Sequence, residues 1–215
     1  MNDAPHDESP VTLTREQLAE ISRHGVAREF RPRTILVTEG EKTNALYIII
    51  EGRVRAYVSD ANGREAVLSV MGPGEYFGEL SYDRGPRSAS VVTIEACRLL
   101  VVPHADFASF VEGNPAFANH FIHKLIRHIR ALTQNVRSLA LMDAYGRVAR
   151  LLLESSVKKG GEVFIPERLT QAEIASRVGC SREMVSRIFK DLVQGNYITV
   201  EAERIVINRT PPAHW

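Results

Sequence analysis

Ala118, Ile122, Leu125, Ile129, Leu132, Val136 and Leu139 recur at spacings of 4, 3, 4, 3, 4 and 3 residues. A helix turns once in about 3.6 residues, so these side chains share one stripe. A stripe with this period is the seam of a two-stranded coiled coil. Asn114-Pro115 opens the pattern, with proline in the first turn where its missing N–H costs little, and the pattern runs to about Leu141. His123, Lys124, Arg127, His128, Arg130 and Arg137 flank the seam. A single amphipathic helix packed on its own domain would also show an apolar stripe. The flanking charge argues instead for a homodimer paired through Ile122, Leu125, Ile129, Leu132, Val136 and Leu139.

Residues from about Val26 to Val102 have a different texture. Thr34–Val37, Leu46–Ile50, Val54–Val58, Ala66–Val70, Ser88–Ile94 and Arg98–Val102 are apolar and β-branched runs. Between them lie Glu51-Gly52, Asp60-Ala61-Asn62-Gly63 and Gly72-Pro73-Gly74. Glycine reaches positive φ at tight corners, so this punctuation predicts short antiparallel strands in a sandwich or barrel. No strand–helix–strand alternation occurs, which argues against a parallel sheet. A short helix is predicted after His104.

A hydrophobic share of 44% and a charged share of 25% are ordinary for a soluble globular chain. No apolar run reaches the length of a membrane span. Met1–Pro10 is acidic, without a basic start or apolar stretch, and reads as a disordered tail rather than a signal peptide. Cys97 and Cys180 lie too far apart for a disulfide framework or a metal spacing, which fits a reducing cytoplasm. A net charge of +1 gives no general affinity for nucleic acid, so any DNA-binding surface must be local.

From Asp143 the pattern shortens. Ala144–Lys158 reads as one helix. Thr170-Gln171-Ala172-Glu173 is a capping box that starts another, with Ile174, Ala175 and Val178 on its buried face. Gly179-Cys180 makes a tight turn. Ser181 then caps a helix to about Gln194, ended by Gly195, with Val185, Ile188, Phe189, Leu192 and Val193 as its core stripe. Tyr197–Val200 and Arg204–Ile207 fit a wing hairpin. Two capped helices joined by a short turn describe a helix-turn-helix.

That second helix turns Arg182, Glu183, Ser186, Arg187 and Lys190 outward, and the capping residues Thr170 and Ser181 join them as candidate DNA contacts. Arginine matches guanine O6 and N7 with two hydrogen bonds, and a carboxylate can accept from the cytosine amino group. Each residue also has a plainer account. Glu183 lies in the first turn, where the helix dipole favours a carboxylate. Glu183 and Arg187 have the spacing of a surface ion pair, and Arg182 would be content in water.

Val178-Gly179-Cys180-Ser181-Arg182-Glu183-Met184-Val185-Ser186-Arg187-Ile188 resembles the recognition segment of the cyclic-AMP receptor protein superfamily, which includes the fumarate–nitrate regulators. The resemblance covers nearly the whole chain, including Leu139-Ala140-Leu141-Met142-Asp143 and Gly146-Arg147 at the hinge. It implies an α+β protein: a jelly-roll, cyclic-nucleotide-binding antiparallel β-barrel over residues 11–113, a dimerisation helix over 114–141 and a winged helix-turn-helix over 142–215. It also implies that Arg182, Glu183 and Arg187 read a half-site like TGTGA in double-stranded DNA. The two half-sites of the palindrome would lie about one helical turn apart.

Gly74-Glu75-Tyr76-Phe77-Gly78-Glu79-Leu80-Ser81, a short loop, and Arg87-Ser88-Ala89 carry a second expectation. Gly78 lets the backbone approach a ligand, and consecutive N–H groups can cradle an anion. Arg87 offers a charged fork and Ser88 a hydroxyl. Glu79 repels phosphate but can accept from a ribose hydroxyl. On the residues alone, a surface turn with a Glu–Arg pair is the plainer account. The stretch resembles the superfamily's phosphate-binding cassette, with the same Gly-Glu-Leu and Arg-Ser-Ala elements, so Leu80 and Ala89 belong to the match. The resemblance implies that Gly78, Glu79, Arg87 and Ser88 hold the cyclic phosphate and ribose. The superfamily reaches the purine with two adjacent hydroxyl residues of the long helix, one of them across the dimer. Those positions are Leu132 and Thr133 here, and only Thr133 keeps a hydroxyl. The cassette loop is also shorter. The expected effector is cyclic AMP, with cyclic di-GMP as its competitor and a ligand-free regulator third.

Other chemistries find less support. The chain has no N-terminal cysteine cluster for an iron–sulfur centre and no convincing ligand pair for a haem. His120, His123 and His128 read as basic, solvated flanks of the coiled coil rather than zinc ligands, and no metal is expected. Cys180 fills a turn that needs a small buried residue. No motif assembles serine, histidine and aspartate for catalysis, so no enzyme is expected. RNA polymerase is a candidate partner, although Lys159-Gly160-Gly161-Glu162 is shorter than the polymerase-contacting loop of the cyclic-AMP receptor. The rival from another class is a nucleotide-binding module that controls a protein partner.

Overall fold

A computed structural model describes residues 12–167 and 169–212; the tail expected at Met1–Pro10 lies outside the described residues. The chain divides into two compact units, one of residues 1–58 with 67–129 and one of 59–66 with 130–215.

The first unit is built on strands β1 (Val26–Phe30), β2 (Ile35–Val37), β3 (Ala45–Glu51), β4 (Val54–Ser59), β5 (Glu65–Met71), β6 (Tyr76–Phe77), β7 (Ser90–Thr93) and β8 (Cys97–Pro103). They form two four-stranded sheets, ordered β1-β8-β3-β6 and β2-β7-β4-β5. The pairings of β8 with β1 and β3, of β6 with β3, and of β7 with β2 and β4 are antiparallel. The jelly-roll is therefore a sandwich of two sheets rather than one closed barrel.

Alternation along β3 and β8 produces the layers. Leu46, Ile48, Leu100 and Val102 turn to one face and meet Ile21, Phe107, Phe110, Phe117 and Phe121. Ile49 and Leu99 turn to the other and meet Val37, Val54, Ala56 and Val91 of the second sheet. A strand covered on both faces reads as an unbroken apolar run, which is why Leu46–Ile50 lacks the alternation of a half-exposed strand.

Among the described residues, α-helices α1 (Arg15–Ile21), α2 (His104–Gly113) and α3 (Pro115–Leu141) join these strands along the chain. The sequence reading missed α1, which is too short to show a helical period. Its start is nonetheless written in Thr14 and Gln17, whose side chains each accept from the other's backbone N–H, at 3.2 and 3.0 Å. The Asn114 side-chain oxygen accepts from the Phe117 N–H at 3.0 Å and caps α3.

The second unit contains α4 (Ala144–Glu154), β9 (Val157–Lys159), β10 (Glu162–Ile165), α5 (Gln171–Val178), α6 (Arg182–Gln194), β11 (Ile198–Val200) and β12 (Ile205–Ile207). The helix expected over Ala144–Lys158 stops at Glu154. The chain then folds back as the β9–β10 hairpin across Gly160 and Gly161, both at positive φ (61° and 85°). A two-residue turn of this kind needs positive φ twice, which glycine supplies without strain. Lys159-Gly160-Gly161-Glu162 is thus a hairpin end, and the expected two-stranded wing is part of a four-stranded sheet, β11-β12-β10-β9. Val193, assigned to the α6 core stripe, is 46% exposed, whereas Val185, Ile188, Phe189 and Leu192 are buried. It falls at the edge of that face in the last turn.

Candidate functional site

Gly78 and its neighbours are organised around one buried arginine. Arg87 is 5% exposed. Its Nε donates to Thr43 Oγ1 at 2.7 Å, Nη1 to the Gly78 carbonyl at 3.0 Å and Nη2 to the Ala45 carbonyl at 2.6 Å. A guanidinium has five N–H groups, so among the described residues one is left on each terminal nitrogen, enough for two-point contact with a phosphate. Burial lowers the Arg87 pKa from its ordinary value, while Tyr47 and Glu79 oppose the shift.

Gly78 sits at φ 91°, and a Cβ there would lie 2.6 Å from Arg87 Nη1 and 2.8 Å from the Ala45 carbonyl oxygen. Gly78→Ala is expected to displace Arg87 and to cost about 2 kcal/mol in backbone strain. Thermal unfolding should register a fall in Tm of about 5 °C; an unchanged Tm would contradict the packing described.

Glu79 is also buried and begins a 3-10 turn, Glu79–Asp83. Its Oε1 lies 3.4 Å from Lys124 Nζ on α3. The same ammonium donates to the Tyr76 carbonyl and stands 3.5 Å from the centroid of the Tyr76 ring. Lys124, expected among the solvated flanks of the seam, is therefore inside. Burial pulls its pKa below that of an ordinary lysine, with Glu79 and Glu75 acting in the other direction. His120 corrects the same expectation. Its ring centroid lies 5.9 Å from those of both Phe117 and Tyr76, and burial pushes the imidazole pKa down. The sequence does hold a signal for Lys124. Phe117, Phe121 and Lys124 repeat at 4 and 3, a second stripe turned toward the domain core.

The structure thus brings Gly78, Glu79 and Arg87 together and adds Lys124. Leu80 and Ser88 are exposed beside them in sequence, Ala89 is half-buried and Thr133 is exposed on α3.

On α6, Arg182, Glu183, Ser186, Arg187 and Lys190 are all exposed, opposite the buried Val185, Ile188, Phe189 and Leu192. Thr170, Arg182, Ser186 and Lys190 line one groove together with Val200 and Ile205. Ser181 Oγ accepts from the Met184 N–H at 3.2 Å. Thr170 Oγ1 accepts from the Glu173 N–H at 3.2 Å, and Glu173 accepts in return from the Thr170 N–H at 2.7 Å. Gly179 ends α5 in the left-handed conformation, φ 68°. Arg147 of α4 holds that turn by donating to the Val178 carbonyl at 2.8 Å, and it also donates to the Met142 carbonyl at 2.9 Å. Glu183 and Arg187 do not close an ion pair. The Glu183 carboxyl is held below its ordinary pKa by hydrogen bonds from its own N–H and from Ser181, with a smaller pull from Arg182 and Arg187.

Along α3, Ile122, Ile126, Ile129, Leu132, Val136 and Leu139 are all exposed. Leu125, expected in the seam, is half-buried against the core of its own unit, and Ile126 is exposed beside that stripe as well. A continuous apolar face in water marks an interaction surface. Among the described residues, no cluster of three or more His, Cys, Asp or Glu side chains could hold a metal, and no helix is long and apolar enough to cross a membrane.

Residues 27–114 match the cyclic nucleotide-binding domain family, and residues 146–211 match the Crp-like helix-turn-helix domain family. The CRP-like cAMP-activated global transcriptional regulator of Mycobacterium tuberculosis is 35% identical over 175 residues, which cover 79% of this chain and 78% of that one. The cAMP-activated global transcriptional regulator CRP of Salmonella typhimurium is 31% identical over 193 residues, covering 87% and 91%. The c-di-GMP responsive global regulator CLP of Xanthomonas campestris shares the fold, with a TM-score of 0.78 over 90% of this chain and 98% of that one at 24% identity. With both domain families in order along the chain and identity sustained across most of these relatives, the chain belongs to the CRP/FNR family of transcriptional regulators.

Proposed function

We propose that this chain is a cytoplasmic, homodimeric regulator, not an enzyme, that binds a TGTGA-like palindrome through α6 and is switched by cyclic AMP. The functional division we assign is a nucleotide domain at 11–113, a dimerisation helix at 114–141 and a DNA-binding domain at 142–215. The observation that carries the reading is the row Arg182, Glu183, Ser186, Arg187 and Lys190, exposed on a capped helix whose opposite face is core. Cyclic-nucleotide control is supported by the buried Arg87, which among the described residues keeps two N–H groups uncommitted beside Gly78. Gly78, Glu79, Leu80, Arg87, Ser88, Ala89 and Thr133 are the proposed nucleotide contacts. Cyclic di-GMP is the second reading, favoured by Leu132, which has no hydroxyl for a purine.

A nucleotide switches the dimer only to the extent that it binds the DNA-competent arrangement more tightly. Titration of a fluorescent TGTGA palindrome at fixed salt, with cyclic AMP and cyclic di-GMP in parallel arms, tests this. Cyclic AMP is expected to raise DNA affinity at least about tenfold, a differential of about 1.4 kcal/mol. DNA affinity indifferent to both nucleotides would remove the switch and leave the DNA-binding reading standing. In the same assay Arg187→Ala is expected to weaken the palindrome by about 30-fold or more, the worth of two bidentate base contacts of about 1–3 kcal/mol each, one in each half-site, while a scrambled duplex changes only a few-fold. Equal losses on both duplexes would reassign Arg187 to phosphate.

A further inference from the structure

Lys124 lies outside the contacts proposed above, yet its surroundings are built for it. An ammonium has three N–H donors, and three acceptors surround this one: the Tyr76 carbonyl, the Tyr76 ring face and Glu79 Oε1. The side chains of Lys124 and Glu79 are only 15% and 7% exposed. Withdrawing two charges from water roughly offsets their attraction, so a pair this deep adds little net stability. What it does is orient. Lys124 engages one oxygen of Glu79, and among the described residues nothing else hydrogen-bonds that carboxylate.

Charge gives a second reason. Glu75 is half-buried nearby, accepts from the Gly72 N–H at 2.8 Å and feels the Lys124 charge. With Lys124 removed, two carboxylates would stand against the single cation Arg87. An anionic phosphate would then approach a neighbourhood of its own sign.

We infer that Lys124 is a positioning residue of the nucleotide pocket. It holds Glu79 by Oε1 so that Oε2 meets a ribose 2′-hydroxyl, and it offsets the acidic charge beside the phosphate. Because Lys124 belongs to α3 and also grips the Tyr76 main chain, the ribose contact is tied directly to the dimerisation helix. The inference rests on the cyclic-nucleotide reading above.

Calorimetric titration of the full-length protein with cyclic AMP and with 2′-deoxy cyclic AMP tests it. The wild type is expected to prefer cyclic AMP by about 10- to 150-fold, the worth of a hydrogen bond to a charged group. Lys124→Met is expected to weaken cyclic AMP binding and reduce that preference below about threefold, since the 2′-hydroxyl loses its oriented acceptor. Lys124→Gln, which still donates to the Tyr76 carbonyl, serves the same test if Lys124→Met does not fold. A purely structural role would weaken both nucleotides alike, so equal losses with the wild-type preference intact overturn the inference alone. A wild type that binds neither nucleotide overturns the cyclic AMP reading and the inference with it.

Discussion

Ile129→Glu combined with Val136→Glu is expected to convert the protein to a monomer and to weaken operator binding about a thousandfold. These residues are 63% and 65% exposed on α3, on the stripe that also carries Ile122, Ile126, Leu132 and Leu139. Full burial of such a side chain stabilises by about 1.5–3 kcal/mol, and about half of each side chain's surface is available to a partner. Four substitutions in a pair of chains remove roughly 4 kcal/mol before any repulsion is counted, and every 1.4 kcal/mol is a factor of ten. Glutamates at facing seam positions add an unpaired buried charge. Glutamate is also a strong helix former, so α3 and the protomer fold should survive. Sedimentation should show half the mass, with an unchanged circular dichroism spectrum. A variant that stays dimeric would dismiss α3 as the pairing surface.

Arg87→Met is expected to abolish cyclic-nucleotide binding within the accessible range, a loss of at least about a hundredfold. Two charge-assisted contacts to phosphate, each worth about 1.5–3 kcal/mol, would go. The substitution also takes the Arg87 donor away from Thr43 Oγ1 and the Ala45 carbonyl. Half-buried acceptors that lose their donor cost about 1–3 kcal/mol each, so a Tm lowered by roughly 10 °C should accompany the lost binding. Arg87→Lys separates the two effects, since it keeps the charge but cannot reproduce the fork. Calorimetry showing wild-type affinity in Arg87→Met would exclude the cassette as the phosphate site.

What could be read from the sequence was what has a local period or cap. The α3 seam, the α5 capping box at Thr170–Glu173 and the α6 cap at Ser181 each depend on neighbours within one or two turns, and their elements lie where the pattern puts them. The misses depend on distant partners. Val157–Lys159 looks like the end of a helix until its pairing with β10, itself paired to β12, is known. Leu125 fits the heptad, yet it also packs against the core of its own unit, because a helix lying on a domain must bury its inner face. Lys124 and His120 look solvated for the same reason. Gly78, Glu79 and Arg87 were recognisable as a motif. That Arg87 is already held by Ala45 and Thr43, more than 40 residues away in sequence, was not.

Two copies of the chain are expected to bind one palindrome sequence-selectively. Fluorescence anisotropy with saturating cyclic AMP, at one salt concentration, compares a TGTGA palindrome whose halves lie one helical turn apart with a scrambled duplex of equal length. The predicted result is two chains per palindrome and a preference of roughly a thousandfold or more. Equal affinity for the two duplexes, or one chain bound per palindrome, would contradict it.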